Sequence, residues 1–315
     1  MSTKHLLAVA LALAGGFSAF AAKLGDPAPA LTLAKTIKGE SVDLAAGKGK
    51  QTYVVEFWAT WCGPCKTSIP HLTDLQKKFK GQGVTFIGIS DETEDKVKPF
   101  VDKMGEKMDY VVAVDDTRKT FKAYMEAYSQ NGIPTSFVVN KEGQIVWVGH
   151  PMGGLDEAIT QVVAGKFDVA AAQKEFAERE VSQKRMMELN TLFGAYLQQS
   201  DKGEKEKAAE TGAKLLEIAS KDQMILNAIA WNVLTNPRLK NRDLAFALKA
   251  SEAAVAVSGG KDGAILDTYA RALFDNGKVT EAVATQKKAV GLVTDKTQKA
   301  ELEKTLQKYE TAPAK

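Results

Sequence analysis

Short apolar runs alternate with amphipathic stretches over the first half of the chain. Tyr53–Trp58 (YVVEFW) is almost continuously apolar, the pattern of a strand buried on both faces. Val84–Ile89 (VTFIGI) and Tyr110–Val114 (YVVAV) read the same way. Ser136–Val139 and Gln144–Val148 flank Asn140-Lys141-Glu142-Gly143, which predicts a hairpin. Helical spacing lies between these runs, over Cys65–Phe79, Glu94–Met104, Arg118–Tyr124 and Leu155–Ala164. Alternation of this kind from Leu31 to Val163 predicts an α/β domain, a sheet flanked by helices.

After Gly165 the strand signal stops and helical periodicity takes over, as at Met186, Leu189, Phe193 and Tyr196. Breaks are expected at Ser200–Gly203, Asn236-Pro237, Ser258–Gly263 and Asn276-Gly277, where Gly, Pro, Asn or Asp ends a helix. Ala247 and Ala254 recur 35 residues later as Ala282 and Ala289. Leu266–Val290 resembles a tetratricopeptide repeat (TPR), with Tyr269-Ala270, Leu273, Gly277, Ala282 and Ala289 at its packing positions. The copy around Leu226–Val257 is weaker. Two repeats bury too little core alone, so Glu204–Ala219 and Lys296–Tyr309 are expected to complete the stack. The organisation expected is a leader over 1–21, an α/β domain over 22–165, a connecting helical segment over 166–203 and an all-α, TPR-like domain over 204–315.

Composition narrows the function. The chain has 315 residues, 44% hydrophobic and 26% charged, which suits a folded protein of about two domains. A net charge of +3 with no basic block gives no footprint for nucleic acid. Lys4 and His5, the apolar run Leu6–Ala14 and Ala19-Phe20-Ala21 form the three-part layout of a cleaved secretory signal. The rival is an uncleaved anchor, for which Leu6–Ala22 is short and broken by glycines. A periplasmic, oxidising location is therefore expected.

Only two cysteines occur, in Trp58-Ala59-Thr60-Trp61-Cys62-Gly63-Pro64-Cys65-Lys66 between an expected strand and an expected helix. Cys62 would meet the unpaired N–H groups and positive dipole end of that helix, which favour thiolate, the nucleophilic form. Cys65, one turn on, would be more buried and resolve a mixed disulfide. Pro64 suits a helix start that needs no N–H there. Other readings of the pair are weaker. A zinc site lacks a second C-x-x-C, leaving only His71 and a carboxylate, and no metal is expected. Lys66 stands where haem attachment requires histidine. A structural disulfide would close too small a loop to constrain the unfolded chain much.

WCGPC in this setting resembles the thioredoxin superfamily. Gly25-Asp26-Pro27-Ala28-Pro29, Leu31-Thr32-Leu33 and FWATWC are similar to its TlpA/ResA-like, redoxin branch. The resemblance covers about residues 24–165. It implies a thioredoxin-like fold and thiol–disulfide exchange through Cys62 and Cys65, with protein thiols or disulfides as substrates and no cofactor. It also implies a redox partner that supplies electrons, with a membrane-bound donor among the candidates.

Several further residues acquire expected roles. Pro134, before the strand Ser136–Val139, matches the superfamily's cis proline, against a general bias to trans. Ile133 would then pair its backbone with an extended substrate, in a groove shared with Thr135, Trp61, Gly63 and Pro64. Glu56 lies in an apolar strand on the face of Val54 and Trp58, and burial there raises its pKa. It could take the Cys65 proton, unless it pairs with a lysine at the strand edge. Thioredoxins have an aspartate at the matching position. Many TlpA/ResA-like members carry the acid three residues after the second cysteine, where this chain has Ser68. Asp115-Asp116 reads as a helix cap, Trp58 as packing, and His71 and His150 as surface or structural. The expected function is a thiol–disulfide oxidoreductase, acting as a reductase. Its rival from another class is an interaction scaffold whose helical domain binds a partner. A peroxiredoxin would need Pro-x-x-x-Thr-x-x-Cys, and Cys62 lacks that setting.

Overall fold

The structure, a computed structural model, describes residues 22–312. The leader expected over 1–21 lies outside the described residues. The chain divides into two compact units, the first ending at Glu180 and the second starting at Val181.

The first unit is built on six strands, β1 (Leu33–Lys38), β2 (Thr52–Phe57), β3 (Val84–Ser90), β4 (Val111–Asp115), β5 (Thr135–Val139) and β6 (Ile145–Gly149). They form one mixed sheet in the order β1-β4-β3-β2-β5-β6. β2, β3 and β4 run parallel, and β5, β6 and β1 join antiparallel. Every residue of β2 is buried, in keeping with its nearly continuous apolar run. Alternation sends Val54 and Trp58 to one face, with α1 (Gly63–Phe79), α2 (Glu94–Met104) and α4 (Leu155–Val163). Val55 and Phe57 go to the other, with Tyr124, Met125, Tyr128 and Phe176. The layering is that of a thioredoxin-like domain, as expected.

Two elements depart from the sequence pattern. β1 was hidden because its residues are all partly or fully exposed on a sheet edge, so no apolar run marks it. The helix expected over Arg118–Tyr124 is a single turn, α3 (Lys119–Phe121), followed by a π-turn over Lys122–Glu126. Thr117 and Arg118 enter it at φ 50° and 63°, a left-handed backbone that ordinary helices do not share. The Asp115 carboxylate secures the turn, accepting the N–H groups of Thr120 at 2.9 Å and Phe121 at 2.8 Å.

The remaining chain is all helical: α5 (Val169–Asp201), α6 (Lys205–Ala219), α7 (Gln223–Thr235), α8 (Leu244–Ser258), α9 (Gly263–Asp275), α10 (Val279–Leu292) and α11 (Lys296–Glu310). The four expected breaks fall at or beside the gaps between them. Aspartates start several helices: the side chains of Asp222, Asp243, Asp262 and Asp295 accept N–H groups in the first turns of α7, α8, α9 and α11. The repeated alanines, Ala247, Ala254, Ala282 and Ala289, are fully buried. Leu302 of α11 packs with Leu266 and Ala289, and Tyr309 stacks on Phe274 at 4.3 Å.

The division between the units falls inside α5, within the segment 166–203 expected to connect two domains. The start of this helix belongs with the sheet. Phe176 packs 6.2 Å from the Tyr128 ring, and the Gln173 amide donates to the Leu24 carbonyl.

Candidate active site

β2 delivers the chain into Trp58-Ala59-Thr60-Trp61, and α1 starts directly after it. Cys62 is the N-cap, with extended backbone, φ −76° and ψ 108°. Its Sγ accepts the Cys65 N–H at 3.1 Å, one of the first-turn donors that a helix leaves free. Cys62 and Cys65 form a disulfide. Cys62 is 4% exposed and Cys65 is fully buried, so of the two cysteines only Cys62 reaches the surface.

The stretch before the disulfide is clamped. The Glu92 carboxylate accepts the Thr60 N–H at 2.6 Å and the Thr60 hydroxyl at 2.9 Å. From the other side comes the loop before β5. The Ile133–Pro134 peptide is cis, and the Ile133 carbonyl oxygen lies 3.7 Å from Cys62 Sγ. Thr135 is buried and donates its hydroxyl to the Gly132 carbonyl at 2.7 Å, which closes the loop. Trp61 stands 70% exposed beside the recessed Cys62, and Gly63 and Pro64 are also exposed. A cleft of about 370 Å³ opens between Trp61 and Ile133, with Phe121 and the ion-paired Arg118 and Asp91 on its wall. The guanidinium of Arg118 also lies over the Phe121 ring at 3.9 Å.

Glu56 is buried on the same face of β2 as Val54 and Trp58. Loss of water pushes its carboxyl up to about 8, against the pull of two hydrogen bonds. Tyr110 Oη donates to Oε2 at 3.3 Å and Ser68 Oγ lies 3.3 Å from Oε1. The alternative of a lysine partner does not hold, since Glu56 makes no ion pair among the described residues. Ser68 Oγ is also 3.1 Å from the Cys65 carbonyl oxygen, and this links the carboxyl to the first turn of α1. Gly88 of β3, level with Glu56, leaves room for the two rings beside it, since a Cβ there would meet Trp58 at 3.0 Å and Tyr110 at 3.1 Å. Trp58 packs on Phe100 at 5.3 Å, as expected of a core residue.

Cys62, Cys65, Ile133, Pro134 and Thr135 thus meet at one end of the sheet, with Glu56 beneath them through Ser68. Sequence reasoning missed Tyr110, Glu92 and Arg118. A tyrosine opening an apolar strand reads as core, and the other two are charged residues in loops, where nothing marks a partner.

A disulfide at the N-cap of a helix on a thioredoxin-like sheet, beside a cis proline, defines a thiol–disulfide oxidoreductase. Comparison of sequences agrees. Residues 24–148 match the AhpC/TSA family. Thiol-disulfide oxidoreductase ResA of Bacillus thuringiensis (strain Al Hakam) is 35% identical over 142 residues, 44% of this chain and 78% of that protein. ResA of Bacillus cereus (strain ZK / E33L) is 36% identical over the same length and shares. A solved structure, the thiol:disulfide interchange protein, thioredoxin family protein from Chlorobium tepidum TLS, is 29% identical. It covers 44% of this chain and 97% of that one, with a TM-score of 0.37. The chain belongs to the family of ResA-like thiol–disulfide oxidoreductases.

Proposed function

We propose that the protein is a reductase of protein disulfides, working in the periplasm after export by its leader. The observation that carries this reading is the Cys62–Cys65 pair at the start of α1, with Cys62 Sγ receiving the Cys65 N–H. In the reduced enzyme that N–H and the helix dipole favour the Cys62 thiolate. The thiolate attacks a client disulfide, forming a Cys62–client bond and releasing one client thiolate. Glu56 takes the Cys65 proton. The Cys65 thiolate then attacks Cys62 Sγ, the Cys62–client bond breaks, and the second client sulfur leaves with the electron pair. Two electrons have passed to the client, and Cys62–Cys65 is a disulfide again. Another thiol protein, such as one bound to the membrane, restores the dithiol, and no dissociable cofactor is needed. The groove formed by Trp61, Gly63, Pro64, Ile133, Pro134 and Thr135 holds an extended client segment along the Ile133 backbone.

The direction of flow rests on Gly63-Pro64, which the thioredoxin resemblance associates with the reducing end of the range. C-x-x-C pairs run from about −270 mV in thioredoxin to about −120 mV in DsbA. Equilibration of the purified protein with a dithiol buffer should give a value near the lower figure. A value near the upper one would reverse the assignment to disulfide formation.

The buried alanine pairs of α8 and α10 support a TPR-like stack in the second unit. Trp231 and Met224 are exposed on α7, which favours a second role for that unit in binding a protein partner. A scaffold of this kind would keep its cellular phenotype in Cys62→Ser, whereas a reductase would lose it.

A further inference from the structure

The relay reading leaves open what governs the proton on Glu56. The carboxyl is gripped at both oxygens by different elements. Tyr110, from the chain entering β4, reaches Oε2 at 3.3 Å, and Ser68 of α1 reaches Oε1 at 3.3 Å. Ser68 is fully buried and Tyr110 is 6% exposed, so water does not compete for either hydroxyl. Ser68 has one proton and two acceptors, because the Cys65 carbonyl oxygen stands 3.1 Å away. Its hydroxyl can satisfy only one of them at a time.

We propose that Ser68 and Tyr110 are positioning residues for the proton relay: Tyr110 holds the Glu56 carboxyl, and Ser68 turns its hydroxyl between that carboxyl and the Cys65 carbonyl as Glu56 loses and gains its proton. The inference rests on the relay reading of Glu56 and deepens it. With Glu56 ionised, both hydroxyls donate to the carboxylate. With Glu56 protonated, the acid O–H donates to Ser68 Oγ, and the Ser68 proton swings to the Cys65 carbonyl. The proton Glu56 gains is the one Cys65 loses, and no electrons move in this step. The hydroxyl thus carries the charge state of Glu56 to the turn that bears the resolving sulfur.

Against the dominant effect of burial, these two hydroxyls are the groups that act on the Glu56 proton. From α1, Ser68 touches the carboxyl and the Cys65 carbonyl lies beyond it on the Ser68 hydroxyl; from the approach to β4 comes Tyr110. Across the sheet Glu56 is level with Gly88 of β3 and Ser136 of β5, neither of which titrates. Trp58 lies on the same face and is uncharged. Both hydrogen bonds pull the Glu56 proton affinity down against the effect of burial.

The test is a titration of the ¹³C-labelled Glu56 carboxyl by NMR in the oxidised full-length protein, set beside the pH profile of mixed-disulfide resolution. The variants are Tyr110→Phe, Ser68→Ala and Ser68→Thr, with Glu56→Gln to identify the signal. Each hydroxyl deletion should move the Glu56 midpoint upward, and Ser68→Thr, which keeps the hydroxyl, should restore it. Resolution at pH 7 should slow roughly threefold to tenfold in the deletions, as expected for a rise of about half a unit to one unit. A midpoint that stays still or falls in both deletions overturns the proposal, and Tyr110→Phe decides alone if Ser68→Ala does not fold. If the midpoint rises while the rate profile is unmoved, the positioning stands and the relay fails. If Glu56→Gln leaves the rate profile unchanged, the relay fails on its own account.

Discussion

At the scale of single residues, Glu56 is a buried carboxyl whose ionisation its surroundings oppose. A carboxyl that titrates near 4.5 in the open chain is held to about 8 here, because its charged form has lost its water. The folded state therefore binds the proton more tightly than the unfolded state. The stability that goes with the neutral acid is complete below about 4.5 and is lost as the pH rises through about 8. Glu56→Gln, which cannot ionise, should escape that loss. With the disulfide intact, its stability relative to the natural chain should climb across this window, by at most about 4 kcal/mol. Denaturant melts at pH 5 and pH 9 check this, and a gap that does not widen would mean that Glu56 is not buried as a neutral acid. The sequence made the two cysteines and the buried acid legible, since spacing and strand alternation placed all three. It did not reveal Tyr110, whose ring belongs to the core and whose hydroxyl alone serves the site. The two positions that the family resemblance offers for an acid, 56 and 68, prove to face each other at 3.3 Å. A carboxyl at either one would occupy much the same space.

At the scale of elements, strands with a buried apolar run announced themselves, β6 at one sheet edge included, and β1 at the other edge did not. β2 to β6 all lie within a residue or so of their apolar runs, whereas β1 spends its side chains on solvent. The helix expected after β4 is present but altered: the left-handed pair Thr117 and Arg118 delays its start to Lys119, where Asp115 secures the first turn, and it runs on with π geometry over Lys122–Glu126. Asp115 is buried, so its loss would strand two N–H groups. Asp115→Ala should lower stability by about 2 kcal/mol, read from the denaturant midpoint. An unchanged midpoint would mean that the turn is held by Phe121 and Tyr124 packing instead.

At the scale of the whole molecule, the division between the two units falls at Glu180, inside the stretch 166–203 that the composition shift marks as a connecting segment. The change from strands to helices occurs near Gly165, yet α5 contributes its first turns to the sheet unit through Gln173 and Phe176. A chain truncated after Glu180 should therefore be more stable than one truncated after Gly165. Burial of a phenylalanine side chain alone supports a difference of about 2 kcal/mol. Thermal melts of the two truncated chains check it, and equal melting would remove α5 from the account of the first unit.

The exposed indole of Trp61 has a practical consequence. It adjoins the very bond that opens and closes in each turnover, and disulfides quench nearby indole emission. The protein thus carries its own optical indicator of redox state. Its light should brighten as the sulfurs take up electrons, so that turnover can be followed without an added dye.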